Sequence, residues 1–147
     1  MESVYGNNVF NYAFSGCSNL TEVKFGSLHS LGYNPTTGSS GYAQFKQAFV
    51  GCPKLKTLSF PSLERIYTSG GTTLANAVFY QNTYIERIDL PKLNLIDGSG
   101  ASHLFDGCTA LTEIHFGAEN QQYIESHAGY STLWGRGAGS ATVYFDL

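Results

Sequence analysis

The sequence predicts a β-rich α/β solenoid, in which repeats stack into a right-handed coil and contribute short parallel strands. Three observations lead to this prediction. A Phe-x-Gly-Cys motif recurs along the chain, apolar residues recur at fixed offsets after it, and segments rich in Gly, Ser, Thr and Tyr separate the copies. Such repetition indicates units that stack, because a single unit cannot bury its own apolar face.

Five aromatic anchors set the repeat count. They are Phe14, Phe49, Phe79, Phe105 and Trp134. Gly-Cys follows the first, second and fourth anchors, Gln81-Asn82 takes its place after the third, and the copy at Trp134 is partial. We therefore expect about four and a half repeats in a single domain over residues 1–147, with residues 1–12 as an N-terminal cap or partial repeat.

Each unit contains a segment that alternates like a β-strand. Apolar residues stand nine and eleven positions after the anchor, and polar residues stand at eight and ten. This alternation predicts a strand with one buried face. A second apolar pair follows, such as Leu63 and Ile66, and predicts another short strand or bend on a different wall. Equivalent strands are expected to pair in parallel and to bury one continuous apolar column.

Composition and charge exclude two classes of partner. Only 13% of the 147 residues are charged and the net charge is −3, so the chain lacks the basic surface that nucleic acids require. It also lacks a polybasic patch for anionic membranes and a run of about 18 apolar residues for direct membrane insertion. The first residues lack the features of a leader peptide, which fits either a cytoplasmic protein or a chain that starts after a removed leader.

The clearest copy of the repeat is Ala-Phe-Val-Gly-Cys-Pro-Lys-Leu-Lys-Thr-Leu-Ser-Phe-Pro at residues 48–61. This pattern resembles the BspA-like leucine-rich repeat family, and the resemblance extends from about residue 13 to residue 147. It implies a leucine-rich repeat solenoid. It also implies an extracellular or cell-surface protein of commensal bacteria that acts in adhesion or host contact, and it supplies no catalytic residues.

The three cysteines share one position of the repeat. Cys17, Cys52 and Cys108 are therefore expected to form a column of inward-facing thiols that pack as small apolar groups. The sequence has no Cys-x-x-Cys pair, so we predict neither a metal site nor a cofactor. A disulfide between Cys17 and Cys52, on adjacent units, stays open at this point.

A catalytic site is not predicted. Asp97, Ser99 and His103 can be combined into a hydrolytic triad on paper, but no nucleophile elbow or oxyanion-hole signature accompanies them. We therefore expect a protein that is not an enzyme.

The outward strand positions form the first candidate binding face. They are Glu22, Lys24, Thr57, Ser59, Arg87, Asp89, Glu113, His115 and Tyr144. Neighbours on parallel strands interact, so Arg87–Glu113 and Asp89–His115 are expected contacts. The face is then either a sheet surface that satisfies its own charges or a flat polar recognition surface.

Tyrosines between the units form the second candidate. Tyr33, Tyr42, Tyr67 and Tyr130 stand among Ser, Gly, Asn and Thr, a mixture typical of binding loops. They equally fit rings that only cover the edges of the stack.

These patterns favour a module that binds a protein or glycan at a host or cell surface. The alternative is a structural or self-assembly module, or a fragment of a longer repeat protein. Its basis is Val143-Tyr144-Phe145, which completes a strand without a polar capping repeat and is a candidate edge for self-association.

Overall fold

A computed structural model describes residues 3–4, 10–32, 45–67, 78–97, 103–127 and 141–147. Most of the segments between the units lie outside these ranges. Tyr33, Tyr42 and Tyr130 therefore fall outside the described residues, as do Ser99 and the anchor Trp134.

The described strands form two parallel four-stranded sheets. Sheet 1 contains, in spatial order, β1 (Ser3–Val4), β2 (Ser30–Leu31), β4 (Arg65–Tyr67) and β6 (Leu95–Asp97). Sheet 2 contains β3 (Thr57–Ser59), β5 (Arg87–Leu90), β7 (Glu113–Phe116) and β8 (Thr142–Phe145). The second and third units each contribute first to sheet 2 and then to sheet 1, as the two apolar pairs predict.

The register of sheet 2 follows the repeat offsets. Leu58 pairs with Ile88, Ile88 with Ile114, and Ile114 with Val143. The first three of these side chains are fully buried, whereas Val143 at the last strand is half-buried. The predicted parallel pairing and the continuous apolar column are therefore confirmed.

Two predicted strands are absent from the described residues. Residues 21–25 form only an isolated bridge, between Lys24 and Ser59, and their Val23 and Phe25 are half-exposed. In the fourth unit a 3₁₀ helix (Ala118–Asn120) and the helix α1 (Gln121–Ser126) occupy the place of a sheet 1 strand.

Stacked phenylalanine rings run through the core, but in a different order from the sequence motif. Phe10 stacks on Phe45 with ring centroids 4.8 Å apart, and Phe45 stacks on Phe79 at 5.9 Å. Phe79 then stacks on Phe105 at 5.5 Å. Phe14 stacks on Phe49 at 5.3 Å, and Phe49 in turn lies beside Phe45 with centroids 6.2 Å apart. The motif aligns Phe79 with Phe49, whereas the rings place it under Phe45, four residues earlier.

A buried asparagine accommodates this four-residue difference. Asn82 is 1% exposed, and its Nδ2 donates to the carbonyl oxygens of Phe45 at 2.9 Å and Phe79 at 2.8 Å. Its Oδ1 accepts the backbone N–H of Phe49 at 2.9 Å. The side chain therefore satisfies a backbone donor that the shorter third unit does not reach with its own carbonyl groups.

The turn that contains the motif requires a left-handed backbone. Gly107 has a φ of 75°, and a Cβ built there would lie 2.7 Å from the Cγ of Gln81 in the preceding unit. Gln81 itself has a φ of 55°. Glycine is therefore favoured in the motif for two reasons: the backbone is left-handed there, and the close approach between units leaves little space for a Cβ.

A polar face on sheet 2

The outward side chains of β5, β7 and β8, with Asp146 beyond β8, form a continuous group that we call the polar face. The strand register places Arg87 beside Glu113 and Asp89 beside His115, and it places His115 beside Tyr144. Their neighbours Ile88 and Ile114 point inward and are fully buried. The alternation of each strand therefore fixes which residues belong to the face.

Arg87 lies at one end of this group. Its Nε donates to Oδ1 of Asp89 at 2.6 Å, and its Nη1 lies 3.8 Å from Oε2 of Glu113. The hydrogen bond to Asp89 is the main cause that raises the pKa of Arg87 above its ordinary value. The guanidinium thus stays charged and is held on two sides.

His115 lies at the other end and is buried, with 5% of its side chain exposed. Its Nδ1 lies 2.7 Å from Oδ1 of Asp146, and its Nε2 lies 3.2 Å from Oε2 of Glu113. The Tyr144 ring stacks on the imidazole with centroids 4.5 Å apart and an interplanar angle of 14°. The next strand and the residue after it therefore cover a position that the sequence pattern places on an open surface.

The predicted cross-strand pairs are right in register and partly wrong in contact. Arg87 does approach Glu113, but the closest partner of Asp89 is Arg87 on its own strand, not His115. His115 instead takes Glu113 and Asp146. Arg87 and Asp89 are two positions apart on one strand, so their side chains lie on the same face. Arg87 therefore competes with the cross-strand neighbour for the carboxylate of Asp89.

Asp146 is the residue of the polar face that the sequence reasoning missed. It follows the last strand at the position where the other four units carry Gly26, Pro61, Pro91 and Gly117. That departure from Gly or Pro is the signal that could have found it. The contact itself joins residues 31 positions apart and depends on the pairing of β7 with β8.

The family assignment follows from this repeat. A family model for the BspA type leucine-rich repeat region matches residues 45–133 in six copies, which is more than half of the chain. The chain belongs to the BspA-type leucine-rich repeat family. A search of curated proteins and a search of solved structures each found no match. The two parallel sheets with few helices are compatible with that fold, while the right-handed coil and the count of four and a half repeats stay predictions.

A BspA-type repeat region serves in general as a non-enzymatic scaffold for protein interaction. His103, considered above with Asp97 and Ser99, has its Nδ1 2.9 Å from Oδ2 of Asp106.

Among the residues that the structure describes, no group of three or more His, Cys, Asp or Glu is arranged to hold a metal ion. Within the same residues, no helix has the length and apolar character needed to cross a membrane.

The remaining candidates of the BspA-type repeats are not part of the ion-paired group, although Thr57 and Ser59 on β3 pair in register with Arg87 and Asp89 on β5. Glu22 and Lys24 pair at 2.7 Å in the first unit, where both side chains are at least 66% exposed. Such an exposed pair contributes little to stability. Thr57 and Ser59 lie on β3 at the start of sheet 2, whereas Tyr67 lies on β4 in sheet 1 and is half-buried.

The cysteine column of the family motif is buried in two of its three units. The thiol of Cys52 donates to the carbonyl oxygen of Phe14 at 3.0 Å, and that of Cys108 donates to Phe79 at 2.9 Å. Burial raises the pKa of Cys108 to about 12 and raises that of Cys52. Cys17 is exposed at the first unit, so the prediction of an inward-facing thiol is wrong there. All three thiols are free, and a Cys17–Cys52 disulfide is not formed.

The two sheets of this BspA-type region end differently. In sheet 1, the Tyr123 hydroxyl accepts the N–H of Ile96 at 2.8 Å and donates to its carbonyl oxygen at 3.2 Å. His127 Nε2 lies 3.0 Å from the same oxygen. Side chains that follow β7 therefore occupy the edge of β6, whereas sheet 2 continues to β8, the last strand in the described order.

Proposed function

We propose that this chain is a non-enzymatic module that binds a protein or glycan partner through the polar face. The setting proposed for it is adhesion or host contact at a bacterial cell surface, outside the cytoplasm. Membership of a repeat family used for protein interaction supports binding as the general role. The polar face supplies the particular surface.

The observation that carries the proposal is the fixed geometry of Arg87, Glu113 and Tyr144 on adjacent strands. Ion pairs hold the first two, and stacking on His115 holds the third. A side chain that is already ordered loses little conformational entropy when a partner binds, and each ordered side chain saves about 0.5–1.5 kcal/mol.

The polar face also retains groups for a partner to contact. The Tyr144 residue is 38% exposed, and within the described residues its hydroxyl has no hydrogen-bond partner. Arg87 has five N–H donors, of which Nε is directed to Asp89. The side chains of Glu113 and Asp146 are 42% and 52% exposed. A surface with both signs of charge and an aromatic ring fits a polar protein epitope or a sugar.

A binding panel tests the proposal. The chain is applied to a glycan array and to a panel of host matrix proteins, and any partner found is measured again with Arg87→Ala and Tyr144→Ala. We expect each substitution to weaken binding at least tenfold, about 1.4 kcal/mol, as expected for Arg and Tyr at the centre of an interface.

Two controls separate the polar face from the rest of the molecule. Lys92→Ala removes an exposed positive charge from the turn after β5 and should leave binding unchanged. Tyr33→Ala tests the tyrosine-bearing segments, the rival site. If Arg87→Ala and Tyr144→Ala leave the affinity for a partner unchanged but Tyr33→Ala weakens it, the binding site lies in those segments.

A structural or assembly role is the second candidate. Its basis is β8, whose outer edge has no partner strand among the described residues. That observation leads to a separate proposal about a partner for this edge.

A further inference from the structure

The apolar columns of sheet 2 are incompletely covered at both ends. Inside the stack, Leu58, Phe60 and their equivalents on β5 and β7 are fully buried. At the first end Phe25 is half-buried, and at the last end Phe145 is half-buried. The same two columns therefore leave apolar surface open on opposite faces of the described structure, at a cost in free energy that another layer would remove.

We propose that a second copy of this chain supplies that layer, with β8 of one copy pairing in parallel with residues 22–25 of the next. Sheet 2 then continues from one chain into another. The contact joins two different surfaces, so it is head-to-tail and adds copies in one direction.

The backbone directions at the two edges support this pairing. Thr142 donates its N–H to Thr112, toward β7, so the N–H groups of Val143 and Phe145 point away from β7. At the first end, Phe25 donates to Ser59, so the N–H and carbonyl groups of Lys24 point away from β3. Both edges thus present alternate backbone groups outward in the phase that parallel strands require.

The repeat offsets set the register. Val143 and Phe145 occupy the same repeat positions as Val23 and Phe25, so pairing like with like extends both apolar columns. In this register the N–H of Val143 faces the carbonyl of Glu22, as equivalent groups do between the inner strands. The contact therefore repeats an arrangement that the chain already uses three times within sheet 2.

Side chains beside the strands are complementary in the same register. Lys24, whose side chain is 70% exposed, comes next to the exposed ring of Tyr144 and near the carboxylate of Asp146. A lysine already lies over a tyrosine of the next unit within the chain, with Lys46 Nζ 5.4 Å from the Tyr80 ring centroid. The charge of Lys24 and the ring of Tyr144 therefore favour contact between a first end and a last end over contact between two like ends.

Shape is complementary as well. A cavity of about 320 Å³ lies at the first end and is lined by Phe10, Lys24, Phe25, Gly26, Ser27 and Leu28. Leu147, which is 43% exposed, lies two residues beyond Phe145 and reaches the level of that cavity in the proposed register. An exposed leucine on one copy therefore meets an apolar hollow that the described residues of the other copy leave open.

Light scattering over a concentration series tests the assembly. We expect the mean mass to rise with concentration beyond two chains. Lys24→Pro and Val143→Pro each remove one outward N–H without removing a hydrogen bond of the internal ladder, so each should weaken association at least tenfold. Lys92→Ala, away from both ends, should behave as the unchanged chain. Circular dichroism checks the fold, and Val143→Lys replaces Val143→Pro if that variant is unfolded.

A mixing experiment tests the head-to-tail geometry. Lys24→Pro keeps an intact β8, and Val143→Pro keeps an intact first end, so an equimolar mixture should form pairs and stop at two chains. An unchanged chain that stays monomeric at all concentrations overturns the proposal. So does a mixture that stays monomeric while the unchanged chain assembles, because the contact would then use other surfaces.

Discussion

Residues 10–32 and 45–67, the first segment, and residues 78–97 and 103–127, the second segment, are built on the same repeat but differ in the number of residues between the stacked ring and the strand. In the first segment the stacked ring precedes the central strand residue by 13 positions, as from Phe45 to Leu58. In the second segment the interval is 9, as from Phe79 to Ile88. The strands nevertheless stay in register. A repeat protein can therefore change the length of a unit if some group replaces the backbone contacts of the lost turn.

The residue three positions after the anchors Phe49, Phe79 and Phe105 bonds to the preceding unit, and after Phe79 it is Asn82 that replaces the lost contacts. Cys52 and Cys108 each donate to the carbonyl of the ring residue stacked in the preceding unit. Asn82 makes the equivalent bond to Phe45 and in addition accepts the N–H of Phe49. Cysteine suffices between units of equal length, whereas the junction requires a side chain that both donates and accepts.

The largest expected effect breaks this junction. Asn82→Ala leaves the N–H of Phe49 buried without a partner and removes one of the two hydrogen bonds that the carbonyl of Phe45 accepts, so we expect a loss of about 3 kcal/mol in the free energy of unfolding. Asn82→Cys retains a donor but not an acceptor for Phe49, and we expect about half that loss. Urea denaturation measures both, with Thr83→Ala as the neighbouring control. A loss below about 1 kcal/mol for Asn82→Ala would contradict the role assigned to Asn82.

A prediction of intermediate size concerns the pH dependence of stability caused by Cys108, the buried cysteine of the second segment. The pKa of Cys108 is raised to about 12 from 9.0. The unfolded chain therefore ionises first, and the stability that the neutral thiol contributes is complete below pH 9 and is lost as the pH rises toward 12. At pH 10.5 we expect a loss of about 2 kcal/mol, measured by denaturation relative to Cys108→Ser, which keeps the hydrogen-bond donor but does not ionise in this range.

Thiol labelling provides an independent readout of the same comparison. Cys17 is exposed and should react with a thiol reagent in the folded protein, whereas Cys52 and Cys108 should react only after unfolding. If Cys108 reacts as quickly as Cys17, or if Cys108→Ser has the same pH profile as the unchanged chain, the burial of the column is wrong.

The smallest expected effect concerns the end of the second segment. Tyr123→Phe removes the hydroxyl that bonds both backbone groups of Ile96, so we expect a loss of about 1 kcal/mol. Hydrogen exchange at the Ile96 amide should accelerate while exchange at Ile114, inside sheet 2, stays unchanged. Equal acceleration at both amides would show that the hydroxyl acts on the whole fold and not on one edge.

The strands could be predicted from the sequence because their alternation is local. The shift of the stacked ring was missed although a signal exists. Phe10 and Phe45 stand four residues before the first two motif anchors, where the later units carry Ala75 and Ala101. The more conspicuous Phe-x-Gly-Cys motif set the alignment instead.

The polar face could be predicted in membership but not in contacts. Alternation assigns Arg87 and His115 to one side of the sheet, as the structure finds. The burial of His115 depends on Asp146 and Tyr144 from a strand about 30 positions away, and such tertiary contacts leave no local pattern. That Asp89 contacts Arg87 and not His115 is likewise decided by distances within the folded sheet.

At one turn of the repeat, which we call the corner, the backbone conformation also depends on contacts with the neighbouring unit. Tyr12, Gln47 and Gln81 all have positive φ, from 51° to 59°, a conformation that costs a non-glycine residue about 1 kcal/mol. Gln47 donates its N–H to Tyr80 and Gln81 donates to Asp106, so each corner must copy the next to keep these bonds. The strained backbone conformation is therefore repeated from unit to unit. Hydrogen bonds between units determine the conformation of a corner, and the identity of the residue at that position does not.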